Sequence, residues 1–153
     1  MAYLPKPEYR RADPLPEWAA RRAHGVFLSG FQEVNLLTGG FPCSAIIEIS
    51  GPGSSGRTAV ALSVMKRLLA EGHLCAYIDG TNSFDPHSAF QSATPLERLL
   101  WTRCGGSLRR TMHSADAVLQ SGGFSLIILD LADFEIPELD AIPLANWFRF
   151  QRR

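Results

Sequence analysis

One stretch decides the fold: Ala45-Ile46-Ile47-Glu48-Ile49-Ser50-Gly51-Pro52-Gly53-Ser54-Ser55-Gly56-Arg57-Thr58. Its apolar first half predicts a strand over Ala45–Ser50, and the pattern after it predicts a helix over Thr58–Glu71. A glycine-rich loop between a strand and a helix is the context in which backbone amides wrap a phosphate at a helix N-terminus. The sequence therefore predicts a phosphate-binding loop at Gly51–Thr58, and a glycine-rich turn that binds nothing is the alternative.

The loop supplies most of the predicted ligands. The expected phosphate-binding residues are Gly51, Gly53, Ser54, Ser55, Gly56, Arg57 and Thr58. Glycines let the backbone approach the anion, and the Thr58 hydroxyl is placed to reach a magnesium ion. Arg57 stands where a lysine is usual, and its planar guanidinium is bulkier than a lysine ammonium. We therefore expect Arg57 to hold phosphate in a different position from a lysine.

Apolar runs and helical patterns alternate after the loop. Strands are predicted at Leu74–Asp79, Leu99–Thr102 and Phe124–Asp130. Helices are predicted over Pro16–His24, Phe31–Leu37, from Asp85-Pro86, along 108–119 and from Leu144 to the chain end. This alternation predicts an α/β fold with a mainly parallel sheet covered by helices on both faces. Ala45–Ser50, Leu74–Asp79 and Phe124–Asp130 are all expected in that sheet.

Asp130 ends the most apolar of these strands. An aspartate at such a position holds magnesium, usually through water, in phosphate-binding α/β domains. Leu131 follows it, so no carboxylate base stands next in sequence. Asp79 ends another strand. Two interpretations remain open: its side chain faces the site, or Asp79 is only the last residue of that strand. The acidic residues beyond Asp130 are predicted to form a solvated loop, and they are Asp133, Glu135, Glu138 and Asp140.

The ordered set of motifs resembles the core of the RecA recombinases. Successive RecA segments look like Gly39-Gly40-Phe41-Pro42 with the strand and loop after it, Cys75–Asp79 with Asp85-Pro86, and Ser121–Asp130. Other stretches are more similar to the ImuA family, RecA-related accessory proteins of mutagenic translesion synthesis that are often described as SulA-like. These are Leu99-Leu100-Trp101-Thr102-Arg103, Ser121-Gly122-Gly123-Phe124 with Leu129-Asp130-Leu131, and Ile142-Pro143-Leu144-Ala145-Asn146-Trp147-Phe148-Arg149. The likeness implies a RecA-like P-loop core over residues 30–153.

Departures from RecA bear on catalysis. In the register of Asp85-Pro86, RecA's catalytic glutamate falls on Thr81, which cannot accept a proton from water as a carboxylate does. RecA's adenine-stacking tyrosine falls on Ser88, whereas Asp85 matches the aspartate that contacts adenine. The resemblance therefore implies ATP or ADP with magnesium at Thr58 and Asp130, bound weakly or not at all, with little hydrolysis. RecA continues with DNA-binding loops, so the core looks C-terminally shortened and recombinase activity is not implied.

The resemblance implies an accessory role in the SOS response, in DNA repair by damage-induced translesion synthesis. The implied partners are RecA or a Y-family polymerase such as ImuB. An active ATPase of the RecA/KaiC class that binds DNA is the alternative, and a SulA-type division inhibitor is a second. Residues 1–29 are expected to form an N-terminal arm with a short helix, in which Trp18 anchors self-association or RecA binding. A disordered tail is the other interpretation of this arm.

Composition narrows the classes further. Fifteen basic and fifteen acidic residues cancel, so net charge neither favours nor excludes DNA. No apolar run approaches the roughly 20 residues that cross a bilayer, so no membrane contact is expected, and no signal-peptide pattern opens the chain. The cysteines Cys43, Cys75 and Cys104 and the four histidines have no metal-ligand spacing. Reduced core thiols in a cytoplasmic protein are therefore expected.

Overall fold

The computed structural model describes residues 25–89 and 96–152. The strands are β1 (Val26–Phe27), β2 (Phe41–Pro42), β3 (Cys75–Asp79), β4 (Leu99–Arg103) and β5 (Leu126–Asp130). The helices are α1 (Gln32–Thr38), α2 (Arg57–Ala70), α3 (Pro86–Ala89), α4 (Leu108–Ser121), α5 (Ile136–Asp140) and α6 (Leu144–Gln151), with a 3₁₀ turn at Leu96–Arg98. The predicted helix Pro16–His24 and the rest of the arm up to residue 24 lie outside the described residues.

The central sheet is parallel, with β3 between β4 and β5. Every residue of β3 is buried, and the register sets Asp79 beside both Arg103 and Asp130. Because parallel strands end together at one edge of the sheet, the polar ends of β3, β4 and β5 meet there. The predicted parallel arrangement of Leu74–Asp79 and Phe124–Asp130 is confirmed.

Helices cover both faces of this sheet, as predicted. On one face Cys75 and Tyr77 pack against α2, whose buried side chains are Val64, Met65, Leu68 and Leu69. On the other face Ala76 and Ile78 pack with Ala115 and Val118 of α4 and with Phe150 of α6. Alternate residues of β3 point to opposite faces, so one strand serves both cores.

The segment Ala45–Ser50 differs from its prediction. It forms no strand with any described residue, and all six of its residues are exposed. Ile46 is 49% exposed and Ile47 is 42% exposed, although both side chains are large and apolar. The prediction that this run lies in the sheet was wrong, because an apolar run indicates strand propensity but cannot show that a neighbouring strand is there to pair with it.

A small antiparallel pair precedes this segment. Val26 pairs with Pro42 and Phe27 with Phe41, and α1 lies between the two strands in sequence. Asn35 of α1 joins the pair to the helix, because its amide accepts from the Ser29 N–H at 2.8 Å and donates to the Ser29 carbonyl at 3.0 Å. The Gly30 N–H then donates to Ser63 Oγ of α2 at 3.2 Å. These contacts attach residues 26–42 to α2.

The helices α1, α3, α4 and α6 lie where the sequence predicted helices and differ by a few residues in their ends, but the stretch predicted to be a solvated acidic loop contains the short helix α5. Ser107 caps α4, since its hydroxyl accepts from the Arg110 N–H at 3.4 Å. Asp85 caps α3 in the same way, accepting from the His87 N–H at 3.0 Å. No helix within the described ranges is long and apolar enough to cross a membrane. Cys75 and Cys104 are buried free thiols, as expected, and Cys43 is half-buried.

Candidate phosphate-binding site at the carboxyl edge of the sheet

The loop before α2 presents backbone donors at the start of a long helix. Gly56 adopts a left-handed conformation with φ of 89°, and no side chain caps α2. The first bond of the helical ladder is Val60 N–H to the Gly56 carbonyl at 3.0 Å, so the N–H groups of residues 57–59 have no acceptor one turn earlier. A Cβ atom at Gly53 or Gly56 would meet nothing within 4 Å. Open space in front of oriented amides fits a phosphate group.

Arg57 takes up a position that the sequence did not predict. One guanidinium nitrogen donates to the Gly51 carbonyl at the start of the loop, and the other lies 3.4 Å from the Ala132 carbonyl. The side chain therefore joins the phosphate loop to the turn after β5. Its positive charge remains beside the loop, but its donors face backbone oxygens of the protein.

The carboxylate of Asp130 is engaged by the protein at both oxygens. Oδ1 accepts from the Ala132 N–H at 3.0 Å, and Oδ2 accepts from the Tyr77 hydroxyl. Tyr77 is 2% exposed, and its ring stacks on Phe84 with centroids 4.1 Å apart. Burial and the neighbouring Asp130 carboxylate raise the pKa of Tyr77, so its hydroxyl stays protonated and keeps donating at physiological pH.

Asp79 anchors the loop after β3. Its buried carboxylate accepts from the Ser83 N–H at 3.0 Å, the Phe84 N–H at 3.2 Å and Trp101 Nε1 at 3.2 Å. With these donors engaged, Asp79 shapes the backbone of residues 80–85 and faces away from bulk solvent. Of the two interpretations that the sequence left open, the structure shows a positioning role.

Gly80 holds this loop against the end of β5. Its N–H donates to the Asp130 carbonyl at 3.2 Å. A Cβ atom at this position would lie 2.5 Å from the Asp130 carbonyl oxygen and 2.5 Å from the Phe134 ring. Only glycine allows the two chain segments to approach so closely without a shift of the backbone.

Thr81 lies beside a carboxylate that belongs to another loop. Its hydroxyl is 3.2 Å from Asp133 Oδ2 and 3.2 Å from Ser83 Oγ. The sequence placed Asp133 in a solvated acidic loop, and the structure does leave it exposed. The turn after β5 nevertheless brings it to the site. Thr81 stands where RecA has a glutamate, and the Asp133 carboxylate of another loop lies within hydrogen-bonding distance of it.

A cavity of about 420 Å³ joins these groups. Its walls are Arg57, Thr58, Leu62, Tyr77, Ser83, Phe84, Asp85, Asp130, Ala132 and Asp133. The predicted side chains Arg57, Thr58, Asp85 and Asp130 are therefore brought together. A second hollow of about 570 Å³ lies along α6, against Ala145, Phe148, Arg149 and Arg152, and shares no residue with the first. The side chain of Ser88 lies outside the described part of the chain.

These residues fit a nucleoside phosphate better than they fit its metal. The loop amides and the open space at the glycines suit the phosphate oxygens. Thr58 and Asp130 line the same cavity, as a magnesium site requires, but both Asp130 oxygens already accept hydrogen bonds from the protein. Each carboxylate oxygen has a second lone pair, so a metal-bound water could share Asp130 with these donors. Among the described residues no group of three acidic, histidine or cysteine side chains could hold a metal ion by itself.

A glycine-rich loop that leads into a helix, with an aspartate at the end of a parallel strand, is typical of the class of P-loop α/β domains. Within that class, the RecA N-terminal domain family matches residues 26–141. Because this match includes most of the chain, the chain belongs to the RecA N-terminal domain family.

Individual relatives agree with this assignment. The chain is 37% identical to Protein RecA of Cutibacterium acnes over 98 residues, which are 64% of this chain and 28% of that protein. It is 35% identical to Protein RecA of Limosilactobacillus reuteri over 105 residues, which are 69% of this chain and 29% of that protein. Protein RecA of Mycoplasmopsis pulmonis is 34% identical over 117 residues, 75% of this chain and 34% of the relative. The similarity therefore spans about a third of these curated relatives.

Proposed function

We propose that this chain is a non-recombinase RecA-family protein that binds a nucleoside phosphate and acts in damage-induced translesion synthesis through protein contacts. The observation that carries the proposal is a loop with open, oriented amides at the start of α2, in a chain that has a threonine, Thr81, at the position of RecA's catalytic glutamate. A site that can hold phosphate but has no carboxylate there is suited to binding more than to turnover. This role places the protein in the cytoplasm.

The proposed ligand is ATP or ADP, with magnesium as a weak or dispensable companion. The loop amides, Arg57 and Thr58 hold the phosphates. Asp85 lines the cavity, and the resemblance implies that it contacts the base. Ser88 has no ring to stack on adenine, and an aromatic contact of that kind contributes roughly 1 kcal/mol. Binding is therefore expected to be weak and to distinguish poorly between ATP and GTP, which calorimetry with both nucleotides tests.

Hydrolysis is expected to be slow for the same reason. A positioned general base adds about 100- to 10,000-fold to a proton-transfer step. Thr81 supplies only a hydroxyl, which already lies beside Ser83 Oγ and Asp133 Oδ2. ATP turnover of about one per second or faster that is lost in Asp130→Ala would contradict this part of the proposal.

Exposed apolar side chains on the described surface support a role in protein contacts. Ile136 is 72% exposed, Leu144 67% and Phe148 54%, and all three lie in the last two helices. Arg149 is near them, with Nε 3.0 Å from Asp116 Oδ1 of α4. Aromatic and arginine side chains are frequent energetic centres of interfaces. The N-terminal arm up to Arg22, with a local charge of +2 from five basic and three acidic residues, is the other proposed contact, through Trp18.

A pull-down from the lysate of damage-treated cells tests the partner. We expect the full chain to capture RecA or a Y-family polymerase, and Trp18→Ala to capture less of it. Tyr9→Ala is the matched control, because it removes another aromatic side chain of the same arm and should leave capture unchanged. Equal capture by all three proteins would exclude Trp18 as the contact, and capture of neither partner would contradict the proposed role.

The second candidate function is an active ATPase of the RecA/KaiC class, and one observation favours it. The Asp133 carboxylate lies 3.2 Å from the Thr81 hydroxyl, so a base is available near the position of the missing glutamate. Asp133→Asn separates the two functions. Measurable ATP turnover that falls in this variant would favour the enzyme, whereas background turnover in both proteins would favour the accessory role.

A further inference from the structure

We propose that Tyr77 sets the metal dependence of this site: its hydroxyl competes with metal-bound water for Asp130, so that the chain takes nucleoside phosphates with little help from magnesium. The inference rests on the proposed phosphate binding and adds to it the form in which the ligand is bound. Tyr77 is a specificity-determining residue, and it takes part in no bond making or breaking.

The first support is the hydrogen bonding of Asp130. A carboxylate that holds magnesium through water accepts hydrogen bonds from that water. In this structure Oδ2 accepts from the Tyr77 hydroxyl, and Oδ1 accepts from the Ala132 N–H at 3.0 Å. A hydrogen bond to a charged acceptor is among the stronger ones in proteins. A metal-bound water at Oδ2 must therefore share that oxygen with the Tyr77 hydroxyl or displace it.

The second support is that Tyr77 cannot easily move away. The side chain is 2% exposed, packs in the core beside α2, and stacks on Phe84 at 4.1 Å. Phe84 in turn meets Trp101 edge to face at 5.6 Å, and both are tied to Asp79. Turning the phenol away from Asp130 would disturb this group of rings. The hydroxyl is thus held in place by packing as well as by its own hydrogen bond.

The third support is the charge of Arg57. Magnesium in a P-loop neutralises phosphate charge and bridges phosphate oxygens. Here the Arg57 guanidinium lies on the cavity wall and donates to the Gly51 and Ala132 carbonyls. Ala132 belongs to the same turn whose N–H binds Asp130. A fixed cation therefore lies between the phosphate loop and Asp130, where it can offset phosphate charge without a metal.

Two titrations test the proposal. In the first, ADP binding is measured by calorimetry with magnesium and with a chelator in its place. We expect similar affinities for the wild-type protein under both conditions. In Tyr77→Phe we expect magnesium to tighten binding by about tenfold, the effect of returning one charge-assisted acceptor to the metal. Phenylalanine keeps the ring that stacks on Phe84, so the core should stay intact.

The second titration uses Mn²⁺ alone, followed by its electron paramagnetic resonance signal, and needs no nucleotide. We expect Tyr77→Phe to bind Mn²⁺ several-fold more tightly than the wild type, and Asp130→Asn in the same background to cancel the gain. Trp101→Phe is the matched control. It removes a ring N–H donor from the same group of aromatic side chains, but that donor serves Asp79, so Mn²⁺ affinity should not change.

The outcomes separate this inference from the proposed function. If no variant binds ADP under either condition, the proposed phosphate binding fails, and the Mn²⁺ titration still decides the role of Tyr77. Equal Mn²⁺ affinity in the wild type and Tyr77→Phe would overturn the inference. So would wild-type ADP binding that needs magnesium as strongly as binding by Tyr77→Phe does.

Discussion

Two apolar runs, Ala45–Ser50 and β3, each precede a loop of the site in sequence. One run is exposed and the other is buried. β3 is buried at every residue and has a parallel neighbour on each side. Ala45–Ser50 is exposed at every residue and pairs with no strand in the described ranges. Strand stability comes from neighbours and burial more than from the composition of the strand. The site therefore has two parts. The rigid half consists of β3, β5 and the loops that follow them. The weakly held half is the loop Gly51–Thr58, which follows the exposed run.

Cysteine labelling gives the largest expected contrast between the two runs. Cys43 lies just before the exposed run, and Cys75 opens β3. Burial raises the pKa of Cys75 to about 11, so at pH 8 only about one in a thousand of these thiols is ionised and reactive. We expect an aromatic disulfide reagent to modify Cys43 at least about 100-fold faster than Cys75 in the folded protein.

The sign of the pH dependence is part of this prediction. Because burial raises the pKa of Cys75 above its ordinary value, its labelling in the folded protein should accelerate with pH, by up to about tenfold per pH unit, and should stay slower than that of Cys43 throughout. Peptide mass spectrometry over a time course measures both rates, with Cys43→Ser and Cys75→Ser assigning the signals. Equal rates in the folded protein would mean that the two runs are equally accessible.

Truncation of one isoleucine in each run compares their energetic weight. Ile78 of β3 is fully buried on the face that α4 covers, so Ile78→Ala should lower the free energy of unfolding by about 2–5 kcal/mol. Ile47 is 42% exposed, and Ile47→Ala should change the free energy of unfolding by about 0.5 kcal/mol or less. Urea denaturation measures both. A cost at Ile47 close to that at Ile78 would show that the first run is buried in solution.

A glutamate placed at Thr81, on the rigid half, should raise ATP turnover only when the neighbouring Asp133 carboxylate is removed as well. Thr81→Glu places a second negative charge beside Asp133, and like charges raise carboxyl pKa values and disfavour the ionised base. We expect Thr81→Glu combined with Asp133→Asn to exceed Thr81→Glu alone by about tenfold in single-turnover hydrolysis, within the range that a general base contributes. Asp133→Asn alone is the control, and equal rates in all variants would show that chemistry is limited elsewhere.

Ordering of the weakly held half by an anion is the smallest expected effect. We expect inorganic phosphate to slow amide hydrogen exchange in residues 51–58 by a few-fold while leaving β3 unchanged, because β3 is already protected by two strand neighbours. Sulfate should act similarly and chloride should not. Greater slowing in β3 than in the loop would place the anion somewhere else.

The sequence predicted the three strands of the central sheet and the positions of α1, α2, α3, α4 and α6, whereas α5 lies in a stretch that was predicted to be a solvated loop. Met65, Leu68 and Leu69 share one face of α2, as the spacing indicates, and α4 buries Ala115 as its pattern predicts. Whether an apolar run pairs with a neighbouring strand could not be predicted from periodicity. Nothing in Ala45–Ser50 itself distinguishes a strand with neighbours from an extended segment without them.

The site was predictable where it depends on local sequence and not where it depends on contacts across the sheet. The loop and Asp130 follow from motifs. The role of Tyr77 depends on β3 lying beside β5, which places Tyr77 opposite Ile128 and therefore diagonal to Asp130 on the same face. A tyrosine two residues before the end of a strand was the available signal. Asp133 and the position of Arg57 depend on the turn after β5, for which the sequence contains no periodic signal.

The close approach at Gly80 has a mechanical consequence. The loop after β3 and the turn after β5 touch there through the Gly80 N–H and the Asp130 carbonyl, and the Phe134 ring packs against the same glycine. Packed backbone of this kind transmits movement instead of damping it. We therefore expect a ligand that displaces Asp130 to displace the segment that carries Thr81 and Asp85 as well.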